Sequence, residues 1–164
     1  MRLLALSVLV VAAASCGHPE YPASSAHPLL GQRLPEIHRR TTLDGQPLDT
    51  AALSRKPVMV KFFADYCKPC KDTLPAVERV HVDHPEMALV GVDEDDSVET
   101  AVSVVQHYGL RFPVIHDKDN VLAGRFRVTS MPMTFVADES GIIRWVGGEG
   151  QTEGDLRRAV EAAR

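Results

Sequence analysis

Val58-Met59-Val60-Lys61-Phe62-Phe63-Ala64-Asp65-Tyr66-Cys67-Lys68-Pro69-Cys70-Lys71 runs without a break from an apolar segment into a helical one. Residues 58–64 are apolar except for Lys61 and do not alternate with polar residues. That pattern predicts a central strand covered on both faces. On strand alternation Lys61 shares a face with Met59 and Phe63. The residues from Asp72 to Val80 read as a helix. Two cysteines two residues apart therefore stand where a buried strand becomes a helix. Such a pair is a redox-active dithiol or half of a metal site.

The position favours redox chemistry. A thiolate, not a thiol, attacks disulfides, and the first turn of a helix offers unpaired N–H groups and the positive end of the macrodipole. Lys68 and Lys71 add positive charge. In such settings the first thiol of a Cys-x-x-Cys has a pKa of roughly 3.5 to 7.5, against about 8.5 when free. Cys67 is then the nucleophile. Cys70, one turn further in, is expected to be more buried and to stay a thiol until it is needed.

Three other readings compete. A structural staple is disfavoured, because a four-residue loop gains only roughly 2 kcal/mol in the chain-entropy model. Zinc would use Cys67, Cys70, His81 and His84, a C-x2-C-x10-H-x2-H pattern with gaps shorter than those of a zinc finger. If Cys70 and His81 share one helix they stand roughly 16 Å apart, whereas zinc bonds are near 2 Å. Calcium at Asp93-Glu94-Asp95-Asp96 would need Gly sixth and Glu twelfth, where Val98 and Val104 stand. That run reads as a polar loop with a helix cap. No metal and no cofactor is assigned.

Composition sets the wider frame. The chain has 164 residues, 45% of them apolar, enough for one domain with a core. A net charge of −4 without a basic stripe argues against nucleic acid. Residues 1–16 read as an export signal: Arg2, an apolar run from Leu3 to Ala14, then Ser15-Cys16-Gly17. The run is too short for a permanent membrane span. Its end resembles the bacterial lipoprotein box, with Ala13 where Leu is usual, which implies acylation of Cys16. Export permits disulfides. Residues 17–29, with prolines, serines and no periodicity, read as a flexible tether, and 30–164 as the domain. His18 and His27 are given no metal role.

Within the domain, Glu36 to Thr42 and Gln46-Pro47-Leu48 flank Asp44-Gly45 and read as a small hairpin. Thr50 to Leu53 reads as one helical turn. Beyond the dithiol helix, which should stop near Asp83 before Pro85, Met87 to Asp93 is a strand. A helix follows, capped by Asp96 with Glu99 and ended by Gly109. Then come a strand at 112–116, a short helix at 121–126, strands at 133–137 and 142–146, and a last helix capped by Thr152 and Asp155. This order predicts an α/β domain whose mixed sheet carries helices on both faces.

Two landmarks then resemble the thioredoxin superfamily. Phe62-Phe63-Ala64-Asp65-Tyr66-Cys67-Lys68-Pro69-Cys70 is similar to its active-site strand and loop. Thr129-Ser130-Met131-Pro132-Met133-Thr134-Phe135 resembles its cis-proline loop. Gly31-x-x-Leu34-Pro35, Asp44-Gly45-x-Pro47-Leu48, Phe112-Pro113-Val114 and Asp138-x-x-Gly141 look like the envelope branch, the bacterial TlpA/ResA-type thiol–disulfide oxidoreductases. The resemblance implies a thioredoxin fold with an N-terminal hairpin and a central βα insertion at 94–127. It implies a Cys67–Cys70 disulfide, a cis Met131–Pro132 bond, and client contacts through Tyr66, Lys68, Pro69, Met131 and Pro132.

The activity it implies is reduction of envelope disulfides by a membrane-tethered monomer on the periplasmic side, including a role in cytochrome c maturation. Its partners would be disulfide-bearing envelope proteins and an upstream membrane or envelope electron donor. A disulfide oxidase or isomerase, a thiol peroxidase and a Cu(I) carrier using Cys67, Cys70 and Met131 are the alternatives. Peroxiredoxins need Pro-x-x-x-Thr/Ser-x-x-Cys, and neither residue precedes Cys67 at that spacing.

Two positions depart from the pattern. Lys61 stands where thioredoxins carry an acidic residue, and Thr73 where many envelope relatives carry Glu. The proton of Cys70 must then go elsewhere. Lys61, if neutral through desolvation, is one acceptor and Asp72 another. Alternatively Lys61 threads its stem to the surface.

Overall fold

The computed structural model describes residues 21–38, 41–51, 53 and 55–164. The export signal, Cys16 and His18 lie outside them, as does part of the helical turn expected at 50–53. Among the described residues the elements are β1 (Val58–Phe63), α1 (Lys68–Asp83), β2 (Ala88–Asp93), α2 (Val98–Tyr108), β3 (Val114–His116), α3 (Val121–Phe126), β4 (Met133–Ala137), β5 (Ile143–Gly147) and α4 (Glu153–Ala162). None of these helices is long and apolar enough to cross a membrane.

β1 is buried at every residue, as its unbroken apolar run requires. It is the middle strand of the order β3-β2-β1-β4-β5. β1, β2 and β3 run parallel, β4 runs antiparallel to β1, and β5 antiparallel to β4. Alternation sorts the side chains into two layers. Met59 and Phe63 pack with Leu74 and Val77 of α1 and with Leu156 and Val160 of α4. Val60 and Phe62 pack on the opposite face with Leu122 and Phe126 of α3. Each such side chain stabilises the fold by roughly 1.5–3 kcal/mol through burial. The expected mixed α/β sheet with helices on both faces is what forms.

Gly91 has a packing reason. It lies beside Lys61 in the β1–β2 register. A Cβ there would stand 2.9 Å from Phe112 and 3.0 Å from Phe63 and Val114. The missing side chain lets those two rings close over the sheet near the dithiol end.

Three details differ from the sequence reading. The N-terminal hairpin is reduced, among the described residues, to one bridge between Thr41 and Pro47 with a Thr42 N–H to Gln46 O bond of 2.9 Å. The cap of α2 is Ser97, whose hydroxyl accepts from Thr100 N–H, and not Asp96. Asp96 is displaced from that role because the three residues before it are held by the sheet end and by the dithiol loop. The cap of α4 is the expected box of Thr152 and Asp155.

The third difference concerns residues 21–29, which composition groups with the tether. They lie along the outer edge of β5. Ser25 N–H donates to Val146 O (2.7 Å), Val146 N–H to Ser24 Oγ (3.2 Å) and Trp145 Nε1–H to Ala23 O (3.2 Å). His27 packs edge-on against Phe135 at 5.0 Å. An edge strand presents unpaired backbone groups, and a buried indole N–H needs an acceptor. The segment supplies both. Its prolines and serines forbid regular structure but not contact.

Candidate active site

The site forms at the carboxyl end of β1. The chain leaves Phe63, crosses Ala64 to Tyr66, and enters α1 with Cys67 as the N-cap. Cys67 N–H donates to Ala64 O (3.2 Å), and Cys70 N–H donates both to Cys67 O (3.0 Å) and to Cys67 Sγ (3.2 Å). The Cys67 sulfur therefore occupies the acceptor position that a helix N-terminus reserves for an oxygen or an anion. Pro69 fits the first turn, where a missing N–H costs nothing.

Cys67 and Cys70 form a disulfide with Cα atoms 5.2 Å apart. Both are buried, Cys67 at 6% exposure and Cys70 at 0%. Tyr66 beside them is 69% exposed, and Lys68 is exposed as well. Lys71 is tied to Asp65 at 3.0 Å, so much of its charge is already compensated.

The second landmark reaches the site through strand register. Phe62 pairs with Met133. Pro132 is thus set beside Phe63, on the strand end that carries the dithiol loop. The Met131–Pro132 peptide is cis. Met131 is half-buried and packs against the apolar cluster that contains both cysteines.

The two carboxylate positions missing from the sequence are missing in space. Thr73 is buried and its hydroxyl donates back to Cys70 O at 3.0 Å. Lys61 is 0% exposed, which overturns the reading that its stem threads to water. β1 is the central strand and α1 covers it, so no route to solvent exists. Its Nζ donates to Thr134 Oγ1 at 3.3 Å, and burial lowers its pKa to about 7. Asp72 is exposed and lies two residues past Cys70, a spacing that puts two side chains on different helix faces. His81 and His84 stand at the far end of α1. His81 packs edge-on against Phe112 at 5.8 Å, and the His84 backbone N–H caps the helix.

One group escaped the sequence reading. The run Asp93-Glu94-Asp95-Asp96 is not a solvated loop. Asp93 is 0% and Asp95 3% exposed. Asp95 N–H donates to Asp93 Oδ1 (3.1 Å), and the Asp95 carboxylate accepts Asp65 N–H on both oxygens (3.0 Å each). His116 Nε2–H donates to Asp95 O at 2.7 Å. Burial first, and the Asp95 carboxylate second, push Asp93 up to about 8. Burial and then Asp117 push Glu94 up to about 7. The signal available in the sequence was alternation. Leu89, Gly91 and Asp93 share one face of β2, and Asp93 pairs with Phe63, the last strand residue before the dithiol loop.

The raised Asp93 pKa has a definite sign for stability. Its folded value lies above the ordinary 3.8. The stability it contributes is complete below pH 4 and is lost as pH rises through about 8. Asp93→Asn removes that loss. The oxidised variant is expected to exceed wild type by about 5 kcal/mol at pH 8, the gap closing towards pH 4. Urea unfolding at pH 4, 6 and 8 measures this. Parallel curves at every pH would show that Asp93 does not hold its proton in the folded state.

Comparison with known proteins adds four findings. The model of the AhpC/TSA family matches residues 30–146. The thiol-disulfide oxidoreductase ResA of Bacillus anthracis is 29% identical over 124 residues, 72% of each chain. The thioredoxin-like protein YneN of Bacillus subtilis is 27% identical over 135 residues, 80% of this chain and 78% of its own. Among solved structures, a secreted Mycobacterium tuberculosis disulfide oxidoreductase homologous to E. coli DsbE superposes with a TM-score of 0.69 at 27% identity, covering 75% of this chain and 93% of that one.

Proposed function

The chain belongs to the AhpC/TSA family and is a thiol–disulfide oxidoreductase of the thioredoxin fold, and from that premise we propose that it reduces disulfides of envelope proteins from a membrane tether. One observation carries the reading. The disulfide joins Cys67, the helix N-cap residue that keeps 6% exposure, to Cys70, which keeps none.

The reaction has two steps. Reduced Cys67, as thiolate, attacks one sulfur of a client disulfide. The other client sulfur leaves with the electron pair and takes a proton. The Cys70 thiol then loses its proton and attacks Cys67 Sγ, expelling the second client thiolate. Two electrons have passed to the client, and the Cys67–Cys70 disulfide remains for an upstream envelope dithiol donor to reduce. Tyr66, Lys68, Pro69, Met131 and Pro132 form the surface that the client meets. Cys16, acylated, would hold the domain at the membrane; two or three acyl chains anchor stably where one does not. Apocytochrome c before haem attachment is one client class that needs such a reductase.

The experiment is equilibration of the dithiol with glutathione buffers on protein extracted from membranes, whose intact mass also reports acylation of Cys16. A potential well below about −220 mV supports the reductase; one near about −120 mV would assign it to the oxidants instead. The family match makes peroxide a fair comparison substrate. Val60 and Ala64 stand where the peroxidase loop has Pro and Thr or Ser, so peroxide turnover is expected to be negligible beside disulfide exchange.

A further inference from the structure

We propose that Asp93 is a positioning residue for the nucleophile: through Asp95 it holds the loop that presents Cys67, and it does so only while its own carboxyl keeps a proton. The inference rests on the oxidoreductase reading and adds to it a built-in dependence on pH.

The geometry is a chain of short links from the sheet to the dithiol. Asp93 ends β2 and is fully buried. Its Oδ1 accepts Asp95 N–H, while its Oδ2 is buried without a hydrogen-bond partner among the described residues. An acceptor oxygen with no donor, in a dry site beside another carboxylate, is where a proton resides. Protonated, that oxygen becomes a donor and Asp95 is the anion next to it. Asp95 in turn spends both carboxylate oxygens on Asp65 N–H, two residues before Cys67. Backbone bonds brace the same junction: Glu94 N–H donates to Phe63 O (3.0 Å) and Asp117 N–H to Asp93 O (2.8 Å).

The titratable groups around Asp93 come from several elements, and those on its own loop oppose its ionisation. Asp95 and Glu94 belong to its own loop. His116 of β3 pairs with it in register, and Asp117 follows. On β1, Lys61 lies on the same sheet face. On the dithiol loop, Asp65 is tied to Asp95 through its N–H, and burial first, and then Glu94, Asp95, Asp96 and Asp93, raise the Tyr66 phenol. The field of this acidic group therefore reaches the residue beside Cys67. When Asp93 gives its proton to water, two carboxylates are left facing each other with no added cation. Their repulsion is relieved by Asp95 swinging off Asp65 N–H. The loop then loses the bond that sets the direction of Cys67.

The test separates loop geometry from thiol ionisation. Reduced protein is reacted with 2-hydroxyethyl disulfide, a neutral probe, from pH 6 to 9. The Cys67 thiolate fraction is followed by ultraviolet absorbance, and the rate is expressed per thiolate. In wild type that rate is expected to fall about fivefold from pH 7 to pH 9, the scale of one lost hydrogen bond. In Asp93→Asn, which donates from Nδ2 at every pH, the ratio of the two rates is expected to be close to one. Asp95→Asn, which removes the repulsion from the other side, is expected to flatten the ratio too. It serves if Asp93→Asn does not fold.

A wild-type rate per thiolate that is flat across this range would overturn the proposal, as would a fall that persists in either variant. Both results would leave the oxidoreductase reading standing. Absence of exchange by wild type at pH 7 would remove that reading and the proposal together.

Discussion

Cys70→Ser is expected to accumulate covalent adducts with client proteins, and Cys67→Ser to accumulate none. The asymmetry follows from burial. Cys67 keeps a small exposure, 6%, and is the one of the pair expected to meet a client disulfide; Cys70 keeps none. Without Cys70 the mixed disulfide forms and has no internal attacker. Without Cys67 the remaining thiol is buried away from a client disulfide. Client turnover falls by more than about a thousandfold in both variants, the scale on which removing a nucleophile acts. Non-reducing electrophoresis and intact mass of the trapped species read the result. Adducts on Cys67→Ser would reverse the roles, and wild-type exchange in both would remove the dithiol from the reaction.

Lys61→Met is expected to raise stability well above wild type at neutral pH. The ordinary lysine value is 10.5, and burial lowers Lys61 to about 7. Between those values the unfolded chain binds more protons than the folded one. Stability due to this group therefore rises with pH from about 7 to 10.5. Below pH 7 the full cost of a buried ammonium is present. Methionine fills similar space without that cost, so the oxidised variant should exceed wild type by about 4 kcal/mol at pH 7. The gap should narrow as pH approaches 10. Urea unfolding between pH 6 and 10 checks it, and equal stability at pH 7 would mean that Lys61 is solvated in solution.

The two buried groups act in opposite directions. Asp93 withdraws stability as pH rises to about 8, and Lys61 restores it only above about 7. Wild type should therefore be least stable between them, near neutrality. A fold optimised only for stability would not place both groups under one face of its central sheet. The same variants test function. If Lys61 in neutral form takes the proton of Cys70, Lys61→Met must shift the pH profile of exchange; an unchanged profile confines Lys61 to a structural role.

Much of this site was legible because its signals are local. An all-apolar run with one lysine, followed by Cys-x-x-Cys and a helical pattern, specifies a covered strand, a helix N-terminus and two unequal sulfurs. Thr152 with Asp155 specifies a capping box in the same way. The run Asp93 to Asp96 failed for the opposite reason. Four acidic residues read as solvated in a local window; alternation puts Asp93 on one face with Leu89 and Gly91, and its pairing with Phe63 and His116 shows that this face is inside. The segment 21–29 failed likewise, since nothing within it reports the unpaired edge of β5.

The amino-acid order by itself determined the local frame of the site: a cysteine at a helix tip, a second one turn deeper, and a proline loop of matching type. Each is a property of a few neighbouring residues. Tertiary structure alone decided where the charges go. Whether Lys61 reaches water, whether Asp93 keeps its proton and whether Asp95 grips the dithiol loop depend on which strands and helices close over them. The free energy of an ion is set by how much solvent the whole fold leaves around it, and no short stretch of sequence carries that quantity.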